Sequence, residues 1–100
     1  MTGGGTTGLS ATGSLANFTI GGLPPSVASG PVLRFRGVNV APLTHNLALR
    51  FVNGAVLCST PNLAPGTSDT FTVTNVAPGS YQLVCTLHLA QLMIANITIT

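Results

Sequence analysis

Apolar and polar residues alternate along most of this chain. In "VLRFR", Leu33 and Phe35 fall on one side and Arg34 and Arg36 on the other. "HNLALRF" sets His45, Leu47, Leu49 and Phe51 against Asn46, Ala48 and Arg50. "DTFTVT" opposes Phe71 and Val73 to Thr70, Thr72 and Thr74, and "MIANITIT" opposes Met93, Ala95, Ile97 and Ile99 to Asn96, Thr98 and Thr100. Successive side chains of a strand point to opposite faces, so a period of two predicts half-buried antiparallel strands. The many Val, Ile and Thr residues suit a pleated surface. Turn residues punctuate the runs: "GGLPP" at 21–25, "SGP" at 29–31, "NG" at 53–54, "PNLAPG" at 61–66 and "APG" at 77–79.

About seven short strands at this spacing predict a β-sandwich or small barrel. They fall near residues 15–20, 31–40, 45–52, 55–58, 68–75, 80–86 and 94–100. The stretch "LHLAQLMIA" at 87–95 departs from the alternation. Its Leu, Ala, Gln and Met favour helix, but it is too short to stand alone as one, so it predicts a loop with one helical turn. Residues 1–14 are expected to be a flexible Gly/Thr-rich tail, since Gly, Thr and Ser fill 11 of those positions. Residues 15–100 are then the folded domain, a single one at a length of 100 residues.

Charge narrows the function. Only 4% of residues are charged, namely Arg34, Arg36, Arg50 and Asp69. Three arginines, expected to project into solvent, are too few to track phosphates, so nucleic acid is not an expected partner. Asp69 has no second carboxylate to work with, which excludes paired-acid catalysis, and no second acidic or amide orienter stands at a known spacing for a serine triad. No Gly-rich phosphate loop precedes a helix. No apolar run is long enough for a membrane span, and no signal pattern follows Met1. The expectation is an extracytoplasmic protein whose leader or anchor is absent from this chain.

Soft and borderline metal ligands gather where the alternation ends. With 80–86 as a strand, Tyr81, Leu83 and Cys85 share the core face. His45 lies at a strand end, on the face of Leu47 and Leu49, and His88 and Met93 follow Cys85 closely. A thiolate, two imidazoles and a thioether are the donor set of a blue-copper site, a trigonal His₂Cys plane with a weak axial Met. Cys58 offers a competing use of Cys85. A Cys58–Cys85 disulfide would close a 27-residue loop, contribute ~3 kcal/mol by chain entropy and remove the thiolate. It would leave both histidines without a role, so Cys58 is expected to be a reduced, packed thiol.

The "HN" at 45–46, the C-x2-H-x4-M of 85–93 and the "APGSYQLVC" that leads into it resemble the cupredoxins, in particular their plastocyanin-like branch. The resemblance covers roughly residues 15–100. It implies a Greek-key antiparallel β-sandwich of about seven to eight strands. It also implies one copper ion with His45, Cys85 and His88 as equatorial ligands and Met93 as the axial one, and Asn46 fixing the ligand loops by hydrogen bonding. The implied function is single-electron transfer outside the cytoplasm rather than catalysis, because four filled ligand positions leave no open site for substrate. The chain departs from the family pattern in having Leu87 where a Pro commonly precedes the second His, and Leu92 and Ile94 where a Gly commonly flanks the Met. Expected partners are redox proteins that dock transiently on an apolar edge around His88, formed by Leu43, Leu87, Leu89 and Leu92, with the chain itself a monomer. Two other readings of the same residues are a metal-free structural or adhesive sandwich and a copper storage or chaperone protein.

Overall fold

The structure, a computed structural model, describes residues 2–3 and 9–100. Ten strands form two five-stranded sheets. In chain order they are β1 (Thr2–Gly3), β2 (Ala11–Ala16), β3 (Thr19–Gly21), β4 (Ser26–Val27), β5 (Val32–Asn39), β6 (Ala48–Phe51), β7 (Val56–Ser59), β8 (Ser68–Thr74), β9 (Gly79–Val84) and β10 (Ile94–Ile99). One sheet runs β1-β8-β5-β2-β3 and the other β4-β10-β9-β6-β7. The all-β sandwich is therefore as expected. Both sheets are mixed, because β2 pairs with β5 and β4 pairs with β10 in parallel. Alternation within one strand cannot report the direction of its neighbour, so these two ladders were not visible in the pattern.

Alternation builds the core. Leu33, Phe35, Gly37 and Asn39 of β5 are buried, while Arg34, Arg36 and Val38 are partly exposed. Phe35 meets Phe71 of β8 with ring centroids 5.5 Å apart and the rings near parallel. Leu15, Leu49, Leu83, Ile97 and Ile99 complete the interior from both sheets. Each such side chain removed from water is worth about 1.5–3 kcal/mol, the largest favourable term in a domain of this size. Gly37 sits mid-strand because a Cβ there would stand 2.9 Å from the Cβ of Leu47, the residue that leads into β6 of the facing sheet. The Tyr81 hydroxyl donates to the Ala77 carbonyl at 2.6 Å, tying the turn before β9 to the strand.

The structure corrects three details of the sequence reading. Residues 11–14 belong to β2, in the middle of a sheet, rather than to a tail. Ala11 and Gly13 are small enough for the interior and so resemble linker composition; residues 1 and 4–8 of the expected tail lie outside the described residues. The predicted strand at 15–20 is a hairpin, with Asn17 and Phe18 turning between β2 and β3. Phe51, placed by alternation on the core face, is 43% exposed. A register shift between Leu49 and Arg50 breaks the period there, and Phe51 packs on Tyr81 with ring centroids 5.5 Å apart.

Candidate metal centre

The registers bring three chain segments to one end of the sandwich. Val84, the last residue of β9, lies opposite Ala48 at the start of β6 and opposite Ile94 at the start of β10. Cys85 follows Val84 directly, His45 enters β6 three residues before Ala48, and Met93 enters β10 just before Ile94. Between Cys85 and Met93 the chain makes a 3₁₀ turn, Thr86–Gln91, which carries His88. This is the loop with a helical turn that the composition of 87–95 predicted.

Each of these side chains has an identifiable support. His45 pairs with Leu63 in both directions, its N–H donating at 3.2 Å and its carbonyl accepting at 2.7 Å. Asn46 spans from the segment leading into β6 to the turn: its Nδ2 donates to the Thr86 hydroxyl at 2.8 Å, and its Oδ1 accepts from the Thr86 N–H at 2.8 Å. The Cys85 N–H donates to the Met93 carbonyl at 3.1 Å, and the His88 N–H donates to the Cys85 carbonyl at 3.2 Å. Inside the turn His88 leaves helical geometry, with φ −132° and ψ 36°, and the turn ends at Leu92 in the left-handed region with φ 58°.

His45 Nδ1 and His88 Nδ1 are 3.1 Å apart, and the Cys85 Sγ stands 3.6 Å from the first and 3.3 Å from the second. The point equidistant from three atoms so spaced lies about 1.9 Å from each, close to the ~2.0–2.3 Å of metal bonds to imidazole nitrogen and thiolate sulfur. The three residues are the group among the described residues whose donor atoms converge closely enough to share an ion. Their chemistry suits a metal that accepts both sulfur and imidazole. His45 and Cys85 are fully buried and His88 is partly exposed, so water is kept from the inner side. Burial first, and the facing His88 second, push the His45 pKa below its ordinary value. His45 is thereby biased to the neutral form, which metal binding requires. Its Nε2 is buried and has no hydrogen-bond partner among the described residues.

Of the four residues singled out in the sequence, His45, Cys85 and His88 converge. Met93 is fully buried beside them in sequence, and its backbone is tied to His88 and Cys85. Both cysteines are free thiols, and Cys58 is a packed core residue of β7. Leu43, Leu87, Leu89 and Leu92 are all exposed.

Three supporting residues escaped the sequence reading. Thr86 is the partner of Asn46. Asn39, fully buried, donates to the carbonyls of Leu43 at 2.7 Å and Leu63 at 2.9 Å and accepts from the Ala41 N–H at 3.0 Å, so it shapes the approach to His45. The signal for it was available: Asn39 occupies an inward position in the alternation of "VLRFRGVN", where a polar residue needs partners. Phe18 lies with its ring centroid 5.3 Å from that of His88. Nothing in the alternation points to it, because it sits in a turn.

No family model and no curated protein matches the chain. Solved structures do. A dithionite-reduced auracyanin from the photosynthetic bacterium Roseiflexus castenholzii matches at 21% identity over 93% of this chain and 99% of its own, with a TM-score of 0.69. Auracyanin B matches at 18% identity over 97% of this chain and 92% of its own, with a TM-score of 0.75. A purple cupredoxin from Nitrosopumilus maritimus matches at 19% identity over 90% of this chain and 99% of its own, with a TM-score of 0.59. At these identities the likeness speaks for the architecture, and the architecture is that of the cupredoxins: the chain is a cupredoxin-fold β-sandwich.

Proposed function

We propose that this chain is a small copper protein that passes single electrons, with His45, Cys85 and His88 holding the ion and Met93 as a weak axial donor. The observation that carries the reading is the convergence of two imidazole nitrogens and one thiol sulfur within 3.6 Å of one another at the ends of paired strands. Copper bound there would supply one-electron chemistry, alternating between Cu(I) and Cu(II).

The chain contributes rigidity, dryness and access. His45, bridged to Leu63, and Cys85, directly after β9, are held at the ends of paired strands, so their spacing changes little whichever charge the site carries. The buried inner side excludes water, and His88 gives a short path to the surface. Leu87, Leu89 and Leu92 come from the same segment as His88, and Leu43 lies two residues before His45. Together these exposed residues suit a transient apolar docking face for a redox partner. With a formal net charge of +2, association should depend little on salt. The chain would act as a monomer and outside the cytoplasm. Among the described residues, no helix is long and apolar enough to cross a membrane.

Adding Cu(II) to the purified chain and recording the visible spectrum tests the reading. An intense thiolate-to-copper band is expected, absent from Cys85→Ser and altered in position or potential in Met93→Leu. A colourless wild-type protein would leave a metal-free sandwich, and a coloured one that cannot be cycled by a redox protein would indicate storage.

A further inference from the structure

Two independent features meet at the β2–β3 hairpin. Phe18 has φ 61°, a left-handed backbone conformation in which a bulky side chain is strained. Asn or Gly would occupy that position with less strain. Core burial does not account for the choice, since Phe18 is 39% exposed. What the strained position achieves is contact. The Phe18 ring meets the His88 ring edge-on, at 5.3 Å between centroids and 61° between planes. On its other side the His88 ring meets the His45 ring, at 4.6 Å between centroids. Among the described residues, the hydrogen bonds of its ring run to His45 and Cys85 alone. Its backbone departs from the turn geometry at that very residue.

We propose that Phe18 is a positioning residue for the candidate metal centre. Its ring packs against the His88 imidazole and holds it in the orientation that turns Nδ1 toward Cys85 and His45. The consequence for copper retention rests on the function proposed above; the orientation of the ring does not. An edge-to-face contact between the two rings limits rotation of the imidazole without a hydrogen bond to its nitrogens. Strain at Phe18 is then retained because the hairpin turn is the element that reaches the outer side of His88.

The test uses the metal-free chain first. In the wild type, proton resonances of the His88 ring should be displaced by the Phe18 ring current and report one orientation. Phe18→Gly and Phe18→Asn should abolish the displacement and broaden the His88 signals while leaving those of His45 in place, and Phe18→Tyr should preserve both features. Thermal unfolding separates positioning from packing. Phe18→Gly and Phe18→Asn relieve backbone strain, so their melting temperatures should hold or rise. Copper competition against a chelator should then show about a tenfold loss of affinity in the Gly and Asn variants and little change in Tyr, the size expected when an outer support of a ligand is removed. His88 signals unmoved in Phe18→Asn, or equal copper affinity in all variants, would overturn the proposal. If the wild type takes up no copper, the proposed function fails, and the ring resonances still decide the role of Phe18.

Discussion

His45 is carried by the strand framework and His88 by a turn, and the two supports differ in kind. His45 is fully buried and paired with Leu63, whose carbonyl also receives the Nδ2 of the fully buried Asn39. Every link in that chain of contacts joins segments distant in sequence. His88 is partly exposed, and the backbone bonds that shape its turn join neighbours in sequence, from Cys85 to Met93. The first arrangement cannot move without breaking the bridge to Leu63 and the buried bonds of Asn39. The second can distort at the cost of a few local bonds. A centre built this way has one wall that sets the geometry and another that closes onto it, and Asn46 is the fastener between them.

The largest predicted effect comes from cutting that fastener. Asn46→Ala removes both bonds to Thr86, and two hydrogen bonds at a buried polar side chain are together worth about 2–3 kcal/mol. Urea unfolding of the metal-free chain should show that loss. Amide exchange should accelerate in residues 86–92 far more than in 47–49. Uniform acceleration of both segments would mean that the turn and the framework are one unit, and the contrast drawn here would be lost.

How legible each wall was in the sequence follows from the same contrast. The framework side was readable because period-two alternation carries His45 onto the face of Leu47 and Leu49, and Cys85 onto that of Tyr81 and Leu83. Those faces are the core faces in the structure. It failed where the period breaks, at the register shift that turns Phe51 outward, where small residues hide a strand, at Ala11 and Gly13, and where a two-residue turn at Asn17 and Phe18 divides the expected strand 15–20. On the loop side, sequence proximity placed His88 and Met93 near Cys85, but could not reveal what meets them. Phe18 and Thr86 reach the site through hairpin geometry and through a turn, neither of which has a residue period. Asn39 lies between these cases, on an inward position that marks it as buried but does not name its partners.

A smaller effect should appear with pH, and on the framework side. Burial, and then the neighbouring His88, hold the His45 pKa below the ordinary value of about 6.5. The groups that face it are Cys85 and His88. A depressed folded-state value means that the unfolded chain binds more protons than the folded one below about pH 6.5. Stability of the metal-free chain should therefore fall as pH drops through 6.5 and stop falling once His45 itself protonates in the fold. Urea midpoints measured between pH 8 and 5 would show this, and His45→Leu should flatten that part of the profile. A profile unchanged by the substitution would mean that burial does not bias the ring as the structure indicates.

The smallest effect probes the strain at the end of the turn, where the sign is decided by two opposing magnitudes. Leu92 adopts φ 58° and is 76% exposed, so it contributes little burial in return for its conformation. A left-handed backbone costs a residue with a side chain about 1–2 kcal/mol, whereas Gly adopts it freely. Gly also raises the entropy of the unfolded chain, which costs about 0.5–1 kcal/mol. The difference leaves Leu92→Gly stabilising by about 0.5–1 kcal/mol in the metal-free chain. The N–H of Leu92, which donates to the Leu89 carbonyl at 3.0 Å, is untouched by the substitution. The same change removes the most exposed leucine near His88, so, on the docking face proposed above, it should also slow electron exchange with a redox partner. A variant that is more stable and exchanges electrons more slowly would show that the loop wall is shaped by its contacts outward as well as by the framework behind it. A less stable variant would mean that Leu92 is held by packing, and that the turn is as firmly built as the strands it closes against.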